Sequence, residues 1–203
     1  MPTRRGRLLN VRSVCGEIDR GPDSPYYDVN MAGPYWLTVK RARMSTERLL
    51  KTLAILHPPV DVFDVARRLQ INVRVENGLQ VAGEVDSSSS SATVRIRGTD
   101  GYRRQRFTLA HEIGHLILHP LGRLWRDDSY IGSSMDDRAT EAQANGYAAG
   151  LLMPLWMLEP VVMRGKPSVR SLSDLFEVSE AAMSIRVGRL LGGRPEEWST
   201  VGW

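Results

Sequence analysis

The residues best suited to chemistry are His111, Glu112 and His115, which stand in the order His-Glu-Ile-Gly-His, an H-E-x-x-H pattern. Residues four apart on a helix face the same way, so the two imidazoles can be presented to one metal ion. Glu112 follows His111 by about 100° of helical turn. That places it near a water at the metal without joining the ligands, the position of a general base. A catalytic zinc site takes three protein ligands and leaves one position open. Glu141, 26 positions after His115 and on the next expected helix, is the candidate that completes a His₂Glu set. Asp136 and Asp137 are its rivals, but they fall at the start of that helix, where carboxylates commonly cap free N–H groups. His119 continues the four-residue spacing, yet it precedes Pro120 and lies about 80° around from His111. It reads as a packing or hydrogen-bonding residue at the helix end. His57, just ahead of Pro58-Pro59, reads as structural or surface. The cofactor expected is one Zn²⁺ per chain, with Mn²⁺ as the alternative.

Two helices are needed to hold these side chains, and the pattern supplies them at 107–119 and 136–153, punctuated by Pro120 and Pro154. On the first, Leu109, Ile113, Leu116 and Ile117 lie opposite His111 and His115, so the helix can bury its back. Upstream, Leu49, Leu50, Leu53, Ile55 and Leu56 form an apolar stripe that ends at the proline pair, and 61–69 repeats the idea. Residues 71–75, 81–85 and 93–97 read as strands, the last two joined across the serine run 87–91. After Pro167, residues 168–191 read as two helices broken near Val178-Ser179. The fold class is therefore α+β. The expected division is a basic N-terminal extension at 1–44, a catalytic segment at 45–160 and a C-terminal helical subdomain at 161–203.

Composition narrows the function further. A chain of 203 residues with 42% hydrophobic residues holds one catalytic domain and a small appendage. The only cysteine, Cys15, excludes a disulfide framework and a cysteine zinc site and fits a cytoplasmic location. No stretch approaches the roughly 20 apolar residues of a membrane span, and no signal-peptide h-region follows the arginine-rich start. The net charge of +4 is a mild, dispersed excess that permits nucleic-acid contact without pointing to it.

The segment Arg106-Phe107-Thr108-Leu109-Ala110-His111-Glu112-Ile113-Gly114-His115-Leu116-Ile117-Leu118-His119 strongly resembles the ImmA/IrrE family of metallopeptidases. Pro58-Pro59-Val60-Asp61-Val62 before it, and Glu141-Ala142-Gln143-Ala144-Asn145 and Leu151-Leu152-Met153-Pro154 after it, look like that family's landmarks in order. The resemblance implies a zincin-like, gluzincin-type core with a small mixed β-sheet, a third ligand at the glutamate of E-x-x-A-N, here Glu141, and zinc-dependent peptide-bond hydrolysis. It further implies a protein substrate, a helix-turn-helix repressor, whose cleavage derepresses mobile-element or stress genes. Gly146 and Gly150 depart from the family, which more often carries larger polar residues there. The chain is also too short for the sensor-like domain of the IrrE branch, which favours an ImmA-like, partner-regulated protein.

Within that mechanism Glu112 accepts a proton from the attacking water and returns it to the departing amine. Tyr130, Tyr147 and His119 are the candidates for a second oxyanion donor, and the strand at 93–97 is a candidate to hold an extended substrate by strand addition. Two competing readings are a DNA-binding regulator and a metal-binding interaction protein. The first uses 172–190 as a helix-turn-helix with Arg186 and Arg189 reading bases; the second leaves Glu112 without a purpose.

Overall fold

Ser45 and Asp61 open the first two helices by the same device. The Ser45 side chain accepts the backbone N–H of Arg48 ahead of α1 (Thr46–Thr52), and Asp61 accepts those of Phe63 and Asp64 ahead of α2 (Val62–Arg68). The computed structural model describes residues 44–87, 91–119, 125–126, 135–165 and 167–191. The extension expected at 1–44 lies almost wholly outside the described residues.

Both helices end in residues with a left-handed backbone, Ala54 (φ 53°) and Gln70 (φ 60°). The chain reverses there through paired bonds, Ile55 N–H to Leu50 and Ala54 N–H to Lys51 in α1, with the same pattern at Ile71 and Gln70 in α2. Thus α1 stops before the proline pair, and Leu56, expected on its apolar stripe, is exposed.

Four short strands follow: β1 (Asn72–Glu76), β2 (Gly83–Ser87), β3 (Ala92–Arg97) and β4 (Trp125–Arg126). They form one mixed sheet in the order β1-β3-β2-β4, with β1 parallel to β3 and β2 antiparallel to both β3 and β4. Val85, Ala92, Val94 and Ile96 point into the core at alternate positions. A cross-strand ion pair between Glu84 and Arg95, 2.5 Å apart, ties β2 to β3. Because β3 has a partner on each side, it has no free edge, and the expectation that 93–97 receives a substrate strand fails.

The remaining elements are helical: α3 (Tyr102–Leu118), α4 (Met135–Leu152), α5 (Leu155–Gly165), α6 (Val169–Phe176) and α7 (Glu180–Leu191). The fold is α+β, with seven helices among the described residues. Helix α5 interrupts a stretch that Pro154 and Pro160 mark as broken. Pro160 sits inside it, and the Pro154 carbonyl accepts its first N–H groups from Met157 and Leu158. Helix α3 is the centre of the core. It contacts α2, β2 and β3 as well as α4, so every residue from Thr108 to Ile117 is buried, not the apolar back alone. Among the described residues no single helix is long and apolar enough to cross a membrane.

Candidate metal centre

The site is built where α3 meets α4. Their approach is set by Gly114, the small residue between the two histidines: a methyl group there would lie 3.0 Å from the Ala144 carbonyl oxygen and 3.2 Å from Ala144 Cα. With the backbones this close, α4 covers the histidine-bearing face of α3 and brings Glu141 over it. His111 Nε2 lies 2.9 Å from His115 Nε2, and each imidazole meets a different oxygen of the Glu141 carboxylate, at 3.2 Å and 3.3 Å. Among the described residues, His111, His115 and Glu141 are the one group whose ligand atoms converge, all within 4.8 Å of one another.

Chemistry and exposure both fit a metal ion at this point. Two imidazole nitrogens and a carboxylate oxygen are the donors of a catalytic site with an open position. Both histidines are nearly fully buried while the Glu141 side chain is 42% exposed, so the cluster opens towards solvent on the α4 side. Hydrogen bonds from His111 and then His115 hold the Glu141 carboxyl far below the usual carboxylate range, so it is present as an acceptor anion.

Glu112 is 0% exposed and lies outside the converging group, turned towards the sheet. Its carboxylate lies against β2 at Gly83, where an added Cβ would fall 2.7 Å from Glu112 Oε1 and 2.5 Å from Thr108 Cγ2. A methyl group there would have to displace both side chains, so the strand backbone runs directly beside the carboxylate. Strand β2 is thus the strand nearest Glu112, and its outer side is paired with β4 at Glu84 and Val85.

The other candidates take their places around this cluster. His119 is buried as the C-cap of α3, with its ring centre 5.2 Å from that of His115, and it stands outside the converging group, as a packing residue would. His57 is exposed. Asp136 and Asp137 fall in the first turn of α4. Tyr130 lies outside the described residues. Tyr147 packs its Cβ over Gly114, and burial raises its phenol well above the ordinary value, which keeps it a hydrogen-bond donor. Gly150 has a packing reason, since a Cβ there would meet Thr46 Oγ1 at 2.8 Å where α1 crosses α4; Gly146 faces open space.

One contact escaped the reading of residue types: Asn145 Oδ1 lies 3.0 Å from His111 Nδ1. Its place in E-x-x-A-N, one turn beyond Glu141, was the available signal. Arg106 was quoted only as part of a motif, but it is a clamp. Only 1% exposed, it donates to the carbonyls of Val60, Phe176 and Glu177 at 3.0, 3.3 and 3.1 Å and pairs with the Glu177 carboxylate at 3.2 Å. Arg103 pairs with Asp174 at 2.6 Å. These contacts fasten the α6–α7 turn to the N-terminal half of α3. Arg186, offered as a base reader, instead donates its Nε to the Met153 carbonyl at 3.0 Å, and burial lowers its pKa.

Comparisons with known proteins agree with this geometry. Residues 66–187, more than half the chain, match the model of a peptidase family described as the IrrE N-terminal-like domain. Two radiation response metalloproteases named IrrE are each 40% identical to it, that of Deinococcus radiodurans over 83 residues and that of Deinococcus deserti over 74. These stretches cover 40% and 36% of this chain but 25% and 26% of the relatives, so the chain spans about a quarter of the length of the curated relatives it matches. A solved structure titled Mycobacterium tuberculosis transcriptional regulator superposes with a TM-score of 0.53 at 14% identity, covering 74% of this chain and 46% of that one. At that identity the likeness is one of fold.

Proposed function

Because the chain belongs to the IrrE N-terminal-like domain family of metallopeptidases, we propose that it is a zinc-dependent endopeptidase in which His111, His115 and Glu141 hold the metal and Glu112 is the general base. The observation that carries this reading is the convergence of two imidazole nitrogens and one carboxylate within 4.8 Å, with a buried second carboxylate left out of the group. Zinc, when bound, supplies a Lewis acid that lowers the pKa of water and polarises the scissile carbonyl.

The remaining work falls to the chain. His111 and His115 offer nitrogen lone pairs and Glu141 an anionic oxygen. Glu112 takes one proton from the water as its oxygen bonds to the carbonyl carbon. It then delivers that proton to the amide nitrogen as the C–N bond breaks, leaving a carboxylic acid and an amine. The substrate class we favour is a helix-turn-helix repressor, cleaved in the cytoplasm, as the family resemblance implies. Residues 45–160 are read as the catalytic segment, with 161–203 as a helical subdomain clamped to it by Arg103 and Arg106. A DNA-reading role for α7 is disfavoured by the commitment of Arg186 to Met153.

The test replaces Glu112 by Gln. An amide cannot accept the proton, so Glu112→Gln should bind one zinc as the wild type does while peptide hydrolysis falls by roughly two to four orders of magnitude. A variant that keeps its zinc and cuts at the wild-type rate removes Glu112 from the mechanism.

A further inference from the structure

Strand β1 is the open edge of the sheet: among the described residues it pairs with β3 alone, without a bulge, over Asn72–Glu76. The backbone groups of a strand turn alternately to its two sides. The Glu76 carbonyl accepts the Gly98 N–H at 3.0 Å, on the β3 side. Asn72 and Arg74 therefore turn to β3 as well, and Val73 and Val75 present their N–H and C=O groups outward. Such an edge is a template for another strand unless something blocks it. No proline or glycine interrupts β1, and Val75 is 54% exposed. Beside the Val73 end lies a hollow of about 360 Å³ lined by Phe63, Arg67, Gln70, Ile71, Asn72 and Val73, so α2 does not close over the strand there.

We propose that this edge takes a second copy of the chain, antiparallel, about a two-fold axis at Val75. The charges select both the partner and the register. Arg74 and Glu76 lie on one face of β1. Neither side chain has an ionic partner among the described residues, and their neighbours on β3, Arg95 and Arg97, are already paired with Glu84 and Asp100. With Val75 opposite Val75, the two valines exchange a pair of N–H···O bonds. Arg74 then faces the partner's Glu76, and Glu76 the partner's Arg74, in the non-hydrogen-bonded positions where Cα atoms stand about 4.5 Å apart and side chains come closest. Two ion pairs result, and the exposed valines cover each other. Slipped by one residue, the axis falls on Arg74 and sets it against the partner's Arg74, a repulsive pair. The register at Val75 is self-complementary, as a two-fold interface requires. Because β3 separates β1 from β2, the strand beside Glu112, the pairing joins two sheets at the side away from that carboxylate.

The interface is short, so the dimer is weak and reversible. Sedimentation equilibrium of the full chain, with reductant present to keep Cys15 as a thiol, compares the wild type, Arg74→Glu, Glu76→Arg and the double variant over a concentration series. The wild type should pass from monomer to dimer as concentration rises. Either single variant sets like charges opposite each other twice per dimer and should raise the dissociation constant about tenfold or more. The double variant remakes both pairs with their signs exchanged and should recover wild-type association. All four should melt alike when dilute, since the substituted side chains stand at the open edge. A wild type that stays monomeric throughout, as it would if the edge served a different strand, overturns the proposal. So does a dimer indifferent to both single variants, or a loss that the double variant fails to restore, because the contact then lies on another surface.

Discussion

Replacing Gly114 by Ala sets two measurable effects against each other. Alanine favours a helix interior over glycine by about 1 kcal/mol. Its methyl group, however, would stand 3.0 Å from the Ala144 oxygen, 3.2 Å from Ala144 Cα and 3.2 Å from Tyr147 Cβ. The first two neighbours are backbone and cannot rotate away, so α4 has to retreat as a body by a few tenths of an ångström. Overpacking of that kind costs about 1–3 kcal/mol, which leaves the metal-free protein weaker by roughly 0–2 kcal/mol. The metal centre is less tolerant, because ligand distances hold within about 0.2 Å and Glu141 rides on the displaced helix. Zinc affinity should therefore fall by about tenfold or more. Urea unfolding in chelator and a zinc competition titration read the two effects separately. A Gly114→Ala protein that binds zinc as tightly as the wild type would show that this contact does not set the gap between ligands. Stability raised by the full helical preference would show that α4 yields without resistance.

Glu141→Ala should lose most of its zinc on dialysis, since three ligands leave no spare, and full occupancy by metal analysis would promote His119 or Asp137 in its place. Arg106→Met keeps the apolar stem but strands the Val60, Phe176 and Glu177 carbonyls; a loss of about 3 kcal/mol in denaturant unfolding is expected, and a change under ~1 kcal/mol would show that the clamp is not needed. Tyr147→Phe tests the buried phenol, whose hydroxyl has no partner among the described residues. With its pKa raised in the fold, Tyr147 contributes stability that is complete below its ordinary pKa of about 10 and is lost as pH rises beyond it. Phenylalanine should therefore flatten the alkaline fall in melting temperature without lowering stability at pH 7. Undiminished hydrolysis in the same variant would separate Tyr147 from oxyanion binding, whereas a large drop would assign it there.

The site was more legible than the frame around it. His111, Glu112 and His115 are local in sequence, and helical pitch alone puts the two imidazoles on one face of α3. Glu141 needed a second helix of the right length, which the periodic stretch up to Met153 announced. Helix starts were visible where Ser45 and Asp61 provide side-chain caps. The end of α1 was not, because the left-handed turn at Ala54 uses a residue that carries no such signal, where glycine would have. Helix α5 was hidden by its own prolines. The pairing of β3 on both sides and the two-residue β4 are long-range facts that no alternation of residues records. Burial of α3 on its polar face depended on how closely α4 approaches, and the one local hint was the glycine between the histidines.

Arg106 joins segments that the ribosome delivers far apart in time. The helix bearing the histidines is complete at Leu118, but the carbonyls of Phe176 and Glu177 that receive the guanidinium are synthesised 70 and 71 residues after the arginine itself. A nascent chain paused before α6 thus holds the whole H-E-x-x-H motif without the bonds that fasten its helix to the C-terminal turn. Order of synthesis becomes order of assembly, and the metal-binding face is braced from that side only after the α6–α7 turn has been made.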